Sequence, residues 1–324
     1  MPPAQEASRT VRHMRAGPGD AGQRIDNFLM RTLKGVPRSH VYRLLRKGEV
    51  RINGRRARPE QRLEAGDEVR LPPVRAAEAG TNRAVPERVL SEMRQRILFQ
   101  DARLLALDKP AGLAAHGGSG LAFGAIEALR EAYPGSGLEL AHRLDKDTSG
   151  VLLVARDRAS LRLLHAALRE GEVDKTYLAL LQGRWTLGRK TIDAPLKTNI
   201  RQGGERMVKV DIDGRDSAST FRPVRRFGTR ATLVEVDIHT GRTHQIRVHA
   251  AYAGHPVAGD EKYGDREFNG AMKALGLRRM FLHAHRVEFT WPDTGRRCRI
   301  ESPLPEELAA VLERLSQRVQ SHPP

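Results

Sequence analysis

Apolar residues recur at helical spacing from Arg24 onward: Ile25, Phe28, Leu29 and Leu33, and then, after the break Gly35-Val36-Pro37, Val41, Leu44 and Leu45. Residues three and four apart share one face of a helix, so this spacing predicts two short helices. The pattern then changes to alternation. Val50-Arg51-Ile52 runs into Asn53-Gly54, a strong signal for a two-residue hairpin turn, and Glu68 to Pro72 reads as a further short strand after Gly66-Asp67. Residues 22–75 therefore read as one small unit of helices followed by a hairpin. Ahead of it, residues 1–21 mix Pro, Gly, Ala and basic residues and are expected to be flexible, apart from a short strand near Val11 to Met14. Behind it, residues 76–95 read as a linker.

From residue 96 to about 319 the pattern is that of a larger domain with many strands and fewer helices. Strands are predicted at Val151 to Ala155, Thr176 to Leu181, Met207 to Ile212, Phe221 to Val224, Ala231 to Ile238, Val287 to Thr290 and Arg297 to Ile300. Asp213-Gly214 and Asp293-Thr294-Gly295 sit between neighbouring pairs and predict antiparallel hairpins. Helices are predicted at Ala122 to Tyr133, Arg158 to Arg169, Thr243 to Ala253 and Glu306 to Val319. The fold class is α+β: a mixed, largely antiparallel sheet with flanking helices, preceded by the small N-terminal unit.

Composition narrows the partners. Fifty-six Lys and Arg against 39 Asp and Glu give a formal charge of +17, which favours a polyanion. No stretch reaches the roughly 18 consecutive apolar residues of a membrane span, so a soluble, cytoplasmic protein is expected. The single cysteine, Cys298, excludes an internal disulfide and a multi-cysteine zinc site. Residues 22–75 hold 14 Lys and Arg against 6 Asp and Glu, a net +8, so the charge is concentrated there. Arg43, Arg46 and Lys47 fall between the apolar positions of the second helix and form a solvent-facing basic edge, continued by Arg51 and Arg55. A phosphate backbone fits such an edge, although any single basic helix face is as often merely solvated.

The chemistry-bearing stretch is His142-Arg143-Leu144-Asp145-Lys146-Asp147-Thr148-Ser149-Gly150, immediately before the apolar strand at Val151. Asp145 on such a loop has the chemistry of a nucleophile, a general base or a metal ligand, and the local pattern does not choose among them. Three further segments accompany it: Asp108-Lys109-Pro110-Ala111-Gly112-Leu113, the strand start Lys175-Thr176-Tyr177, and Gly241-Arg242-Thr243-His244-Gln245-Ile246-Arg247-Val248-His249. Lys175 and Tyr177 are two apart and should share a strand face. A metal-dependent hydrolase would instead draw on Asp145, Asp147 and His244, His249, His255, His283 and His285; a glycosidase would need a second, opposed carboxylate.

Taken together these ordered segments resemble the family of pseudouridine synthases that act on large-subunit ribosomal RNA and tRNA. The resemblance continues through Gly254-His255-Pro256-Val257, Tyr263-Gly264 and Phe281-Leu282-His283-Ala284. The order Arg24-Ile25-Asp26, Pro37-Arg38-Ser39, Gly48 to Gly54 and Gly66-Asp67 is similar to the S4 domain, an RNA-binding module. It implies RNA contacts from Arg24, Arg38, Arg43, Arg46, Lys47 and Arg51. The family resemblance implies uridine isomerisation in large-subunit ribosomal RNA with Asp145 as the essential carboxylate, Arg247 as its basic partner and Tyr177 as the active-site aromatic. It also implies an apolar wall at Ile246, supporting roles for Arg143 and Lys175, no cofactor, no metal, and a monomer.

Overall fold

The computed structural model describes residues 11–33, 36, 38–74, 85–117, 122–202 and 205–321. Two compact units divide the chain at Ala84 and Val85. In the first, β1 (Arg12–Arg15), α1 (Ile25–Thr32), α2 (Arg38–Lys47), β2 (Arg51–Ile52), β3 (Arg55–Arg56) and β4 (Glu68–Leu71) follow in order. The strands pair antiparallel in the order β1-β4-β2-β3. The apolar positions that predicted the helices, among them Ile25, Phe28, Leu29, Val41, Leu44 and Leu45, are buried together with Val50, Ile52, Val69 and Leu71. Asn53 and Gly54 both have positive φ, 50° and 76°, as a hairpin turn twisted like its strands requires. Asn53 also locks the turn, donating to Asp67 at 2.7 Å and accepting from the Glu68 N–H at 2.8 Å. The short strand expected near Val11 to Met14 forms as β1, which makes residues 12–15 part of the sheet, while residues 1–10 lie outside the described residues.

The second unit comprises α3 (Glu87–Gln95), β5 (Ile97–Gln100), β6 (Leu104–Lys109), α4 (Ala125–Ala132), β7 (Glu139–Leu140), β8 (Ser149–Ala155), α5 (Arg158–Glu170) and β9 (Val173–Gln182). It continues through β10 (Lys190–Asp193), β11 (Leu196–Gln202), β12 (Glu205–Val210), β13 (Ala218–Phe227), β14 (Ala231–Ile238) and α6 (Gln245–Tyr252). α7 (Arg266–Ala274), β15 (Leu282–Thr290), β16 (Arg297–Glu301) and α8 (Glu306–Ser321) complete it. Its main sheet runs β10-β13-β14-β9-β15-β8-β6-β5, with β16 on β15 and β7 on β8. Pairing is antiparallel except where β15 meets β8, so the expected mixed, largely antiparallel sheet is what forms.

Two features differ from the sequence reading. The expected linker over 76–95 ends early: α3 occupies Glu87–Gln95 and buries Leu90 and Met93 in the core of the larger unit. The turn at Asp213-Gly214 forms, but β12 pairs with β11 while β13 pairs with β10 and β14, so no β12–β13 hairpin exists. Turn chemistry is local, whereas strand partners are chosen by tertiary packing. The Asp293-Thr294-Gly295 hairpin joins β15 and β16 as expected.

The sheet centre positions the loop before β8. At Gly150 φ is +109°, and a Cβ there would collide with the Ala284 carbonyl of β15. Only glycine allows the close parallel approach of His283-Ala284 to Ser149-Gly150. The loop carrying Asp145 therefore enters the sheet between β6 and β15.

Candidate active site

The loop His142–Thr148 is fixed from several sides. The Thr148 N–H donates to the Asp145 carbonyl at 3.2 Å, closing a turn, and the Gly112 N–H donates to the Lys146 carbonyl at 2.9 Å. Lys109 is fully buried, and its Nζ donates to the carbonyls of Pro110, Leu113 and Lys146 at 2.8, 2.7 and 3.1 Å. Burial pushes its pKa down to about 7 against the pull of Asp147 and Asp145. His142 accepts the Leu153 N–H on Nε2 at 3.0 Å, and burial pushes it down to about 3. A neutral imidazole and a shared ammonium thus hold the loop rigid.

Asp145 faces a cleft with about 550 Å³ of open space, lined also by Arg143, Tyr177, His244, Ile246 and Arg247. Five of the six sequence-derived catalytic and substrate-binding residues therefore meet there. Tyr177 and Ile246 are buried, and with Ile238, Leu144 and Leu282 they make the apolar wall. Burial, reinforced by the charge of Asp145, raises the Tyr177 pKa, so the phenol stays protonated at neutral pH. Arg143 is exposed on the cleft lining. The sixth residue, Lys175, does not line the cleft: it sits on β9 opposite Val287 of β15, and its charge acts on half-buried His142.

Arg247 has a stronger partner than the sequence indicated. Its Nη1 lies 3.5 Å from Asp145 Oδ2, while its Nε and Nη2 each donate at 2.7 Å to the two oxygens of Asp260. The Asp260 side chain is fully buried, and its Oδ1 also accepts the N–H groups of Lys262 and Tyr263 at 2.9 and 3.0 Å. Burial opposes ionisation of Asp260, but Arg247 and these N–H groups outweigh it and hold the pKa below the usual carboxylate range. The Arg247 guanidinium also lies over the Tyr263 ring, 5.0 Å from its centroid. His244 completes the site, with Nε2 3.9 Å from Asp145 Oδ2 and Nδ1 2.8 Å from the Tyr263 hydroxyl.

Asp260 went unassigned in the sequence, and His244 entered only as a candidate metal ligand, although it lies within the segment that carries Arg247. The other histidines do not converge on Asp145. His249 is bonded to Ser219 and the Ala194 carbonyl, His255 to the Gln182 carbonyl, and His283 and His285 to the Ser302 carbonyl. Among the described residues, no three of His, Cys, Asp and Glu are grouped as metal ligands.

In the smaller unit, Arg43, Arg46, Lys47 and Arg51 are exposed. Arg24 is not a free cation: it pairs with buried Asp26 through Nε at 3.1 Å and Nη2 at 2.7 Å, and Tyr42 donates to the same carboxylate. The Arg38 side chain lies outside the described residues.

Comparison with known proteins gives the site its context. The RNA pseudouridylate synthase family matches residues 103–252, and the S4 domain matches residues 23–69. The chain is 53% identical over 300 residues to ribosomal large subunit pseudouridine synthase C of Escherichia coli (strain K12), covering 91% of this chain and 94% of that protein. It is 49% identical over 318 residues to the protein of that name from Pasteurella multocida (strain Pm70), covering 97% of each. Human RNA pseudouridylate synthase domain containing 4 shares the fold, with a TM-score of 0.58 at 24% identity over 70% of this chain and 95% of that one. The corresponding human protein containing 1 gives a TM-score of 0.55 at 26% identity, with the same coverage. With an S4 domain ahead of a domain whose loop before β8 and helix α6 present Asp145 and Arg247 to one cleft, this chain belongs to the RNA pseudouridylate synthase family.

Proposed function

We propose that this enzyme converts uridine to pseudouridine in large-subunit ribosomal RNA, with Asp145 as the carboxylate that acts on the nucleotide. The observation that carries the reading is Asp145 in a cleft walled by Tyr177 and Ile246, in a chain half identical over nearly its whole length to large-subunit synthases. Uridine and pseudouridine are isomers, so the reaction requires no redox partner. The C1′–N1 bond breaks with its electron pair leaving on the base, the uracil turns, C1′ joins C5, the C5 hydrogen leaves as a proton and N1 gains one. An ionised carboxylate serves this by attacking C1′ or by removing a proton from C2′, and both routes release the base.

Tyr177 supplies a flat, neutral ring against which the uracil stacks, Ile246 closes the apolar side, and Arg143 meets the RNA at the mouth. Arg247, clamped by Asp260, is the cation that faces Asp145. The nucleotide must leave its stack to reach this cleft, at about a few kcal/mol, which phosphate contacts elsewhere offset. Arg43, Arg46, Lys47 and Arg51 of the S4 domain supply such contacts. The reading carries with it a cytoplasmic enzyme working as a monomer; among the described residues no helix is long and apolar enough to cross a membrane.

Asp145→Asn tests it. The change keeps size and hydrogen bonding but removes the charge and the nucleophile. Single-turnover release of tritium from C5-labelled uridine in a large-subunit RNA fragment should fall to background while RNA binding persists. Near wild-type release by a folded Asp145→Asn protein would reject the mechanism.

A further inference from the structure

We propose that His244 is the hydrogen-bond donor that holds the uracil carbonyls while the detached base turns in the cleft; this rests on the isomerisation proposed above. His244 immediately precedes α6, lines the cleft beside Asp145, and has φ +55°, a left-handed conformation rare for a non-glycine residue. Strain of this kind persists where surroundings over-determine it and is a pointer to function. The surroundings here are explicit. Gln245 is buried, and its side chain ties the preceding turn down by accepting from Thr240 Oγ1 at 2.7 Å and the Arg242 N–H at 3.0 Å. Its Nε2 donates to the Ala218 carbonyl and to Ser219 Oγ.

With the Tyr263 hydroxyl as donor to His244, one tautomer of the imidazole follows. The Tyr263 oxygen accepts the Val208 N–H at 3.0 Å, and its hydroxyl hydrogen is available to His244 Nδ1 at 2.8 Å. Nδ1 is then the acceptor, and the ring proton sits on Nε2. Nε2 is the nitrogen 3.9 Å from Asp145 Oδ2, on the cleft side. Burial lowers the His244 pKa, opposed by Asp145 and assisted by Arg247 and Lys262, which keeps the ring neutral and Nδ1 free to accept.

The chemistry of the turn explains why one fixed donor suffices. A half-rotation of uracil about the axis through N3 and C6 exchanges N1 for C5 opposite C1′. The same rotation exchanges O2 for O4. A donor that meets O2 before the C1′–N1 bond breaks therefore meets O4 when C5 faces C1′. Between the two, the base carries the electron pair of the broken bond, delocalised onto its carbonyl oxygens, and a neutral N–H strengthens its bond as that charge develops. A neutral imidazole also avoids a full second ion pair with Asp145, which Arg247 already faces.

Two substitutions separate this role from a structural one. His244→Asn tolerates a left-handed backbone and offers Tyr263 an oxygen near the place of Nδ1, but its side chain is too short to put an N–H at the Nε2 position. His244→Gln reaches that position again. The full-length enzyme is assayed in single turnover by release of C5 tritium from an RNA fragment whose modified position has been mapped with the wild type, carrying uridine, 2-thiouridine or 4-thiouridine there. Sulfur is the poorer acceptor, so each thio substrate should slow the wild type by about 5- to 10-fold, the worth of one neutral hydrogen bond. His244→Asn should slow uridine turnover by about 100- to 1,000-fold and lose most of the thio penalty, as a mutant cycle requires when the shared hydrogen bond is gone. His244→Gln should recover both. A His244→Asn enzyme that keeps the wild-type thio penalty, or turns over uridine at the wild-type rate, overturns the proposal, as does a wild type indifferent to both sulfurs. His244→Gly repeats the comparison on an unstrained backbone should the asparagine variant fold poorly. The Asp145→Asn test stands apart from these outcomes, since its failure removes the reaction whatever His244 does.

Discussion

Asp260→Asn probes the buried clamp on Arg247. The native carboxylate accepts from Nε and Nη2 of Arg247 at 2.7 Å each and from two backbone N–H groups, with no exposed side-chain surface. Asparagine keeps one oxygen for the Lys262 and Tyr263 N–H groups but turns an NH2 toward the guanidinium, so a charge-assisted bond becomes a donor facing a donor. One such bond is worth about 1.5–3 kcal/mol, and breaking a buried pair outright costs about 3–5 kcal/mol. Arg247 recovers part of this by moving onto Asp145, only 3.5 Å away. A net loss of roughly 2–4 kcal/mol follows, or roughly 5–15 °C in the melting temperature of the unit that holds the site. The same movement ties up the reacting carboxylate and misplaces the cation, so kcat should fall about 10- to 100-fold. Calorimetry and single-turnover tritium release read the two effects. The double variant Asp260→Asn/Arg247→Gln should lose less stability than the two single losses together, because the pair is shared. Wild-type melting and turnover in Asp260→Asn, or strict additivity in the double variant, would refute the assignment of Asp260 as the group that positions Arg247.

Neutralising Arg43, Arg46 and Lys47 together should weaken RNA binding and lower the log–log salt slope by roughly 0.7 to 0.9 for each phosphate no longer neutralised; a filter-binding titration with unchanged affinity and slope would remove the S4 surface from the reading. Stability should fall as pH drops below the ordinary histidine range. His142 is held neutral, with its folded pKa near 3 against about 6.5 unfolded, so the unfolded chain binds the extra proton, and the stabilisation present above pH 6.5 declines by about 1.4 kcal/mol per unit down to about 3. Buried His249 and His283, also lowered, add to that slope. Urea unfolding between pH 7.5 and 5 measures it, and His142→Gln should flatten it by one proton; an unchanged slope in that variant would contradict the buried neutral ring.

What the sequence conveyed of the fold follows from which forces are local. Helices with a continuous apolar stripe, such as α8 with Leu308, Val311, Leu312 and Leu315, announce themselves by spacing. α3 and α7 bury only Leu90 and Met93, and Phe268 and Met272, in otherwise polar segments, so neither stripe rises above its surroundings. α7 carried one further local sign, Asp265, whose carboxylate caps the helix by accepting the Phe268 N–H at 2.7 Å. The missed pairing of β12 with β11 has the same origin. A turn such as Asp213-Gly214 is written in four residues, but its flanking strands answer to partners elsewhere in the chain.

The site divides along the same line, and the division bears on how the enzyme works. Asp145, Tyr177, Ile246 and Arg247 were readable because each lies in one of the ordered segments that carry the family resemblance, and the fold turns all four to one cleft. Asp260 was not, since nothing in its local run of residues says that a carboxylate there will be fully buried against a guanidinium on α6. Arg24 shows the reverse case: a basic residue at the start of the S4 domain reads as an RNA contact, and Asp26 two residues on takes its guanidinium. In both cases a buried carboxylate captures an arginine and fixes where its charge points. For Arg24 that capture fastens the start of α1. For Arg247 it leaves Nη1 directed at Asp145 while Nε and Nη2 are held elsewhere. An arginine bonded in a bidentate fork to Asp145 would occupy both oxygens of the proposed reacting group. Because Asp260 takes the fork instead, Asp145 keeps an oxygen for the nucleotide in the proposed reaction while a cation stands beside it.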